Sequence, residues 1–244
     1  MKVFVHGNPE TDVVWTPLLE ALTARGVDDI RLLSPPGFGA PIPPGFGCTA
    51  PEYAAWLVEE LAQWGDPVDV VAHDWGAGHV YAVAAEHPEL LRSWVADCSG
   101  IIHPDYIWHP AAQTWQTHGE GEELVAQMVS MTGEEFIQSD SVPDGLAPSL
   151  AEHFDAEMGR AILAVYRSAA QPYMRDLGDR LASARPVPSM IVHATDDRYT
   201  MPELTPSVAA RLGSQVLTLE GCGHWWMWER PAEAADALVA FWNR

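Results

Sequence analysis

The stretch Val68-Asp69-Val70-Val71-Ala72-His73-Asp74-Trp75-Gly76-Ala77-Gly78 decides how this chain is read. Val68–Ala72 has the apolar, β-branched character of a strand buried on both faces. A helical pattern opens directly behind it, through the small residues Gly76, Ala77 and Gly78. A strand that turns sharply into a helix through small residues holds the turn residue exposed at the top of a sheet, as a nucleophile requires. The residue at this turn is Asp74. A serine there would make acyl-enzymes from esters, whereas a carboxylate displaces a leaving group at saturated carbon and becomes an alkyl ester.

Strand and helix patterns alternate on both sides of this stretch. Upstream, Val3–His6 reads as a strand, and Asp12–Arg25 as a helix with Trp15, Leu18, Leu19 and Leu22 on one face. A short strand, Ile30–Leu33, is followed by the breaker-rich loop Pro35–Gly47. Thr49-Ala50-Pro51-Glu52 is a capping-box start for a helix ending near Gly65. Downstream, a helix runs to about His87 and a strand covers Ser93–Asp97. From about His103 to Ala184 the strand signal stops and the pattern is helical. After Pro186 come a strand at Val187–His193, a helix, a strand at Val216–Leu219 and a last helix at Pro231–Trp242. The expected architecture is α/β: a mostly parallel sheet covered by helices on both faces. Residues 1–102 and 185–244 form this core, and residues 103–184 form an inserted helical cap.

Composition narrows the function classes. The 244 residues are 48% hydrophobic, enough for a large core, so global disorder is excluded. Lys and Arg number 13 against 34 Asp and Glu, a net charge of −21 that repels nucleic acid and anionic membranes. The three cysteines, Cys48, Cys98 and Cys222, are odd in number and widely spaced, which suits a reducing compartment. No C-x-x-C or H-E-x-x-H spacing suggests a metal site, and no cofactor is implied. The segment Met1–Gly7 reads directly as a strand rather than a signal peptide, and no apolar run is long enough for a bilayer. A cytoplasmic location is the resulting expectation.

A nucleophile needs a base, and the base an orienting acid. His224, in Gly221-Cys222-Gly223-His224, follows the last predicted strand and is the candidate base. Asp197, in Ala194-Thr195-Asp196-Asp197, follows the strand after the insertion and is the preferred acid. Asp196, its neighbour, and Asp97, past another strand, are the alternatives. All lie beyond the carboxyl ends of predicted strands, where sites in open parallel sheets form.

Together with His6-Gly7-Asn8-Pro9, Pro36-Gly37-Phe38-Gly39, His73-Asp74-Trp75-Gly76 and Tyr166-Arg167, this order of nucleophile, acid and histidine resembles the α/β-hydrolase superfamily. The resemblance is to its aspartate-nucleophile branch of haloalkane dehalogenases and epoxide hydrolases. It covers nearly the whole chain, with one departure: relatives usually carry two strands before the His-Gly-x-Pro strand, so a smaller sheet is expected. The resemblance implies a two-step reaction. Asp74 forms an alkyl ester, and His224, oriented by Asp197, activates the water that hydrolyses it. It places the oxyanion on the backbone N–H groups of Asn8 and Trp75. A leaving halide would be held by the Asn8 carboxamide and the Trp75 indole, as in one subgroup of dehalogenases. An epoxide would instead need two cap tyrosines. Tyr166 matches one; the second has no counterpart near Thr114–Thr117, leaving only Tyr106 and Tyr173 as substitutes.

The expected pocket residues are His73, Trp108, Trp115, Phe136, Tyr166 and Trp225, roofing a site for a small apolar organic substrate and water. The plain alternative for each aromatic is core packing, for Asn8 a turn residue before proline, and for Asp74 a helix N-cap. A haloalkane dehalogenase is favoured over an epoxide hydrolase. A non-catalytic binding protein on the same fold is a third reading, opposed by the intact nucleophile, base and acid. A serine-type esterase is disfavoured because no serine occupies the turn.

Overall fold

The structure, a computed structural model, describes residues 1–140 and 142–244. Six parallel strands form one sheet in the order β2-β1-β3-β4-β5-β6. The strands are β1 (Lys2–Val5), β2 (Ile30–Leu33), β3 (Val68–Ala72), β4 (Leu91–Ala96), β5 (Ser189–Ala194) and β6 (Gln215–Leu219). Helices α1 (Thr16–Thr23), α2 (Ala50–Ala62) and α3 (Trp75–Glu86) join the first four strands. Between β4 and β5 the described residues form six α-helices: α4 (Pro110–Gln116), α5 (Glu120–Met128), α6 (Gly133–Asp140), α7 (Ala147–His153), α8 (Ala156–Ser168) and α9 (Tyr173–Ser183). Helix α10 (Thr205–Leu212) precedes β6, and α11 (Trp226–Glu229) and α12 (Pro231–Trp242) close the chain. No helix among the described residues is long and apolar enough to cross a membrane.

Boundaries shift from the sequence expectations for local reasons. Strand β5 begins at Ser189 rather than Val187, because Pro186 and Pro188 cannot donate to a ladder. Strand β4 begins two residues early, at Leu91, and ends at Ala96, leaving Asp97 free beyond its end. The expected helix from Asp12 divides into a 3₁₀ turn, Asp12–Trp15, and α1, with Pro17 in the first turn of α1. Helix α2 stops at Ala62, short of Gly65, and begins with the capping box of Thr49 and Glu52.

Every residue of the central strand β3 is buried, Asp69 included. Its carboxylate is paired rather than stranded: Lys2 Nζ and Ser93 Oγ each donate at 2.7 Å and Arg92 Nη1 at 3.0 Å. Beyond β3 the chain turns at Asp74, whose φ of 51° and ψ of −122° lie outside the ordinary regions for a non-glycine residue. Two glycines make the turn possible. A Cβ on Gly76 would sit 2.3 Å from the Val5 carbonyl oxygen, and one on Gly7 would sit 2.1 Å from Asp74 Oδ1. Helix α3 therefore starts against β1 at backbone distance. Gly76→Ala should force the two apart, costing about 2 kcal/mol or more and lowering Tm by at least roughly 4 °C; a thermal melt with unchanged Tm would refute this packing.

Candidate active site

Parallel strands bring their carboxyl ends to one edge of the sheet, and the candidate residues collect there. Asn8 follows β1, Asp74 follows β3, Asp97 follows β4, Asp197 follows β5 and His224 follows β6. Asp74 Oδ1 accepts the Asn8 backbone N–H at 2.9 Å. Its other oxygen, Oδ2, lies 3.7 Å from His224 Nε2. On the far side of the ring, His224 Nδ1 is 2.9 Å from Asp197 Oδ2. Asp197 Oδ1 in turn accepts the Tyr199 backbone N–H at 2.9 Å, which fixes the carboxylate. With Nδ1–H donating to Asp197, the lone pair of Nε2 faces Asp74.

The choice among three acids is geometric. Asp196 is exposed, near the Thr195 hydroxyl. Asp97 is buried and points elsewhere: it accepts from His73 Nδ1, from Trp226 Nε1 at 2.6 Å, and from the Asp74 backbone N–H at 2.9 Å. Of the three, Asp197 is the one hydrogen-bonded to His224.

The charges are strongly interdependent. Burial pushes the Asp74 carboxyl up to about 6, against the pull of His224 and His73. Burial is the largest influence on His224 and depresses it, but the bond and charge of Asp197 together with the charge of Asp74 leave the imidazole above its ordinary value. Burial would depress His73, but Asp97 and Glu10 drive it well above its ordinary value, and each of its ring nitrogens faces a carboxylate oxygen, the arrangement that suits an imidazolium. Burial would raise Asp97, yet the His73 cation holds it down at about 2.

Above Asp74 lies a cavity of about 220 Å³. Its polar end carries Asn8, Asp74, His109, Tyr166, Tyr199 and His224. Its body is apolar, formed by Trp115, Leu124, Met128, Met131, Phe136 and Leu150, with Trp225 beside His224. Among the described residues no lysine or arginine lines it. A side chamber of about 20 Å³ also borders Asp74, walled by Trp75, Tyr106 and Trp108. The Trp75 and Trp108 rings are 6.0 Å apart and nearly parallel, at 19°.

Of the expected pocket residues, Trp115, Phe136, Tyr166 and Trp225 line the main cavity, and Trp108 lines the side chamber. His73 does neither; it is fully buried beneath the site between Asp97 and Glu10. Adjacent residues leaving a strand point to opposite sides, so presenting Asp74 upward turns His73 down. Asn8 and Trp75, expected as a pair, border different cavities: Asn8 the main one, Trp75 the side chamber, with its indole interacting with the Tyr166 hydroxyl. The Asn8 carboxamide is buried, and neither its oxygen nor its nitrogen has a partner. Tyr106 also reaches the chamber and donates to the Tyr199 carbonyl at 2.8 Å, whereas Tyr173 stands on another surface beside Arg180 and Glu86.

Three residues of the site escaped sequence reasoning. Glu10 is wholly buried, although it stands in a polar loop two residues past Asn8. His109 caps α4, its Nδ1 accepting the Ala112 N–H at 3.3 Å, so its proton resides on Nε2. Burial pushes this imidazole down to about 4, keeping it neutral; the His109-Pro110 pair, a helix-start signal, was the available clue. Tyr199 lies two residues past Asp197 and stacks edge-on to His224 at 4.9 Å.

Potential ligand atoms of Glu10, His73 and His224, of His73, Asp97 and Cys98, and of Cys98, Asp197 and His224 lie within 4.8 Å of one another. Their histidines are already engaged by Asp97, Glu10 and Asp197, so ligation would break these bonds.

The profile of the alpha/beta hydrolase family matches residues 3–237. The chain belongs to this family. No curated protein matches it. Among solved structures, this hydrolase is similar to the haloalkane dehalogenase DbeA from Bradyrhizobium elkani USDA94, with a TM-score of 0.74 and 17% identity over 99% of this chain and 90% of that one. It is similar to Cfl2 from Burkholderia cenocepacia, with a TM-score of 0.77 and 22% identity over 98% of this chain and 87% of that one. It is also similar to the enol-lactonase from Burkholderia xenovorans LB400, with a TM-score of 0.73 and 17% identity over 100% and 91% of the two chains. At such identities the likeness is one of fold, and the fold hosts different reactions.

Proposed function

We propose that this hydrolase cleaves the carbon–halogen bond of a small, uncharged apolar molecule through a covalent alkyl ester on Asp74. The observation that carries the reading is the aspartate itself: a carboxylate at the turn, one oxygen on the Asn8 N–H, the other 3.7 Å from His224, at the floor of an apolar cavity. In the first step Asp74 Oδ2 attacks the carbon and the halide departs with the bonding pair. In the second, His224 Nε2 takes a proton from water, and the hydroxide attacks the ester carbonyl. The oxyanion develops on Oδ1, held by the Asn8 N–H and by the Trp75 N–H in the first turn of α3. Collapse releases the alcohol, whose oxygen takes the proton back from His224; the carboxylic acid left on Asp74 then gives the second proton of the water to solvent, which restores the carboxylate.

The steps are coupled through charge. The Asp74 carboxylate helps hold a proton on His224. Forming the ester removes that negative charge, which favours the neutral imidazole as the water-activating base is needed. Alkylation in turn requires ionised Asp74. Because its carboxyl sits at about 6, kcat/KM should fall about tenfold per pH unit below pH 6 and level off above it. A profile flat down to pH 4.5 would contradict this assignment.

The side chamber supports halide as the leaving group. One water needs roughly 10–15 Å³ on this measure, so a chamber of about 20 Å³ suits a single atom and not an alkoxide still attached to carbon. The buried, unpartnered Trp108 Nε1 on its wall adds an N–H donor. The epoxide reading draws support from Tyr166 and Tyr199, which place two phenols on the main cavity where one was expected. His109 adds a neutral N–H.

The test is a substrate panel. Short 1-bromoalkanes should release bromide, while bromoacetate should react far more slowly, since among the described residues no lysine or arginine lines the cavity to receive its carboxylate and the His224 charge is already matched by Asp197 and Asp74. Diol from styrene oxide without halide release would install the epoxide reading. Binding of the panel without turnover of any member would make the protein a binding module.

A further inference from the structure

Asp97, Glu10 and His73 are more completely buried than the triad and line neither the main cavity nor the side chamber, yet they connect the two halves of the site. Glu10 Oε1 is 3.3 Å from His73 Nε2, and Asp97 Oδ2 is bonded to His73 Nδ1. The imidazolium is therefore clasped between two carboxylates. Each carboxylate has a second task. Glu10 Oε1 accepts the Trp225 indole N–H at 2.5 Å, and Asp97 Oδ2 accepts the Trp226 indole N–H at 2.6 Å. These tryptophans are the two residues after His224. Asp97 Oδ1 also holds the backbone N–H of Asp74 at 2.9 Å. The His73 and His224 rings are 4.5 Å apart, so the clasp lies directly under the base.

We propose that Glu10, His73 and Asp97 form a buried ionic clamp that positions His224 for hydrolysis of the alkyl-enzyme, acting through the indoles of Trp225 and Trp226. None of the three clamp residues touches the substrate cavity except through these neighbours; they are positioning residues. Alkylation needs only Asp74 and the substrate, while hydrolysis needs His224 Nε2 aligned with a water and the ester carbon. Loosening the base loop should therefore harm the second step selectively. Two carboxylates against one cation leave one acceptor charge for the two indoles, and charge-assisted bonds of this kind are directional. His73 carries the link between the ends, since Glu10 and Trp226 have no hydrogen bond to each other. This inference rests on the two-step reaction proposed above.

The test uses Glu10→Gln and Trp226→Phe, singly and together, in single-turnover reactions with 1-bromohexane followed by intact-protein mass. Trp226 does not line the cavity, so its substitution leaves the substrate's surroundings intact. Each single variant should form the Asp74 ester within about twofold of the wild-type rate and hydrolyse it about 10- to 100-fold more slowly. The double variant should be no slower than the slower single, because both break one network. Equal slowing of both steps, or multiplicative slowing in the double variant, would overturn the clamp. If wild type forms no ester, the parent reading fails instead, and the clamp is then read without chemistry. In ¹H–¹⁵N spectra the Trp225 and Trp226 indole N–H resonances should lie downfield, and Glu10→Gln should move that of Trp226, with which Glu10 shares no hydrogen bond. An unmoved Trp226 resonance would overturn it.

Discussion

Asp74→Ala is expected to abolish turnover while leaving the protein folded and slightly more stable. The loss should reach at least about 10⁴-fold, because removing the nucleophile leaves only cavity binding and the Asn8 N–H to act on substrate. The stability gain follows from linkage. The folded Asp74 carboxyl, at about 6, lies above the 3.8 of an unperturbed aspartate, so the native state keeps its proton longer than the unfolded state does. The opposition to folding appears as pH rises through 3.8 and is fully developed above about 6, where it amounts to roughly 3 kcal/mol. Alanine removes that opposition and keeps a φ of 51° that the aspartate already bears, but it leaves the Asn8 N–H without its acceptor, at a cost of about 1–2 kcal/mol. Thermal melts at pH 7.5 should therefore show Tm unchanged or a few degrees higher, and at pH 4 lower or unchanged. A variant that retains substantial turnover would remove Asp74 from the mechanism.

His224→Gln should separate the two steps. Alkylation does not use the imidazole as a base, so one equivalent of halide should appear in a burst. Hydrolysis should then stall, slowed by about 10³-fold or more, since no other group is placed to activate water at the ester. The alternative carboxylates cannot substitute: Asp97 is committed to His73 and Trp226, and Asp197 contacts the cavity only through His224. Steady slow turnover without a burst would instead mean that His224 acts before or during carbon–halogen cleavage.

The elbow was legible because it is local. A buried valine-rich strand, an aspartate and three small residues leave little alternative, and Gly76 meets the backbone of β1 as such a turn requires. The strand ends carrying Asn8, Asp197 and His224 were legible for the same reason, as each follows an apolar run in the expected order. What could not be read was where loops lead after leaving the sheet. Asp97 and Asp197 are equivalent in sequence, each a carboxylate past a strand; their different partners arise from the paths of the α11 loop and the β5 loop. Nothing in the sequence marks Glu10 as buried, because the groups that neutralise its burial, His73 and Trp225, lie 63 and 215 positions away. Period-two alternation did contain the correct fate of His73, since the residue before an upward-facing Asp74 must face down. Within residues 103–184 the apolar spacing showed helices but not which aromatics would turn inward: Trp115 and Phe136 line the main cavity, while Phe154 packs on Phe136 at 6.0 Å.

The central claim, that the oxygen delivered to substrate comes from Asp74, is most directly tested by single turnover in H₂¹⁸O with enzyme in excess over 1-bromohexane. Water attacks the ester carbonyl in the proposed mechanism, so the hexanol should carry ¹⁶O and the peptide containing Asp74 should gain one ¹⁸O. Hexanol carrying ¹⁸O, with Asp74 unlabelled, would mean that His224 directs water straight to the carbon, and the covalent account would be contradicted.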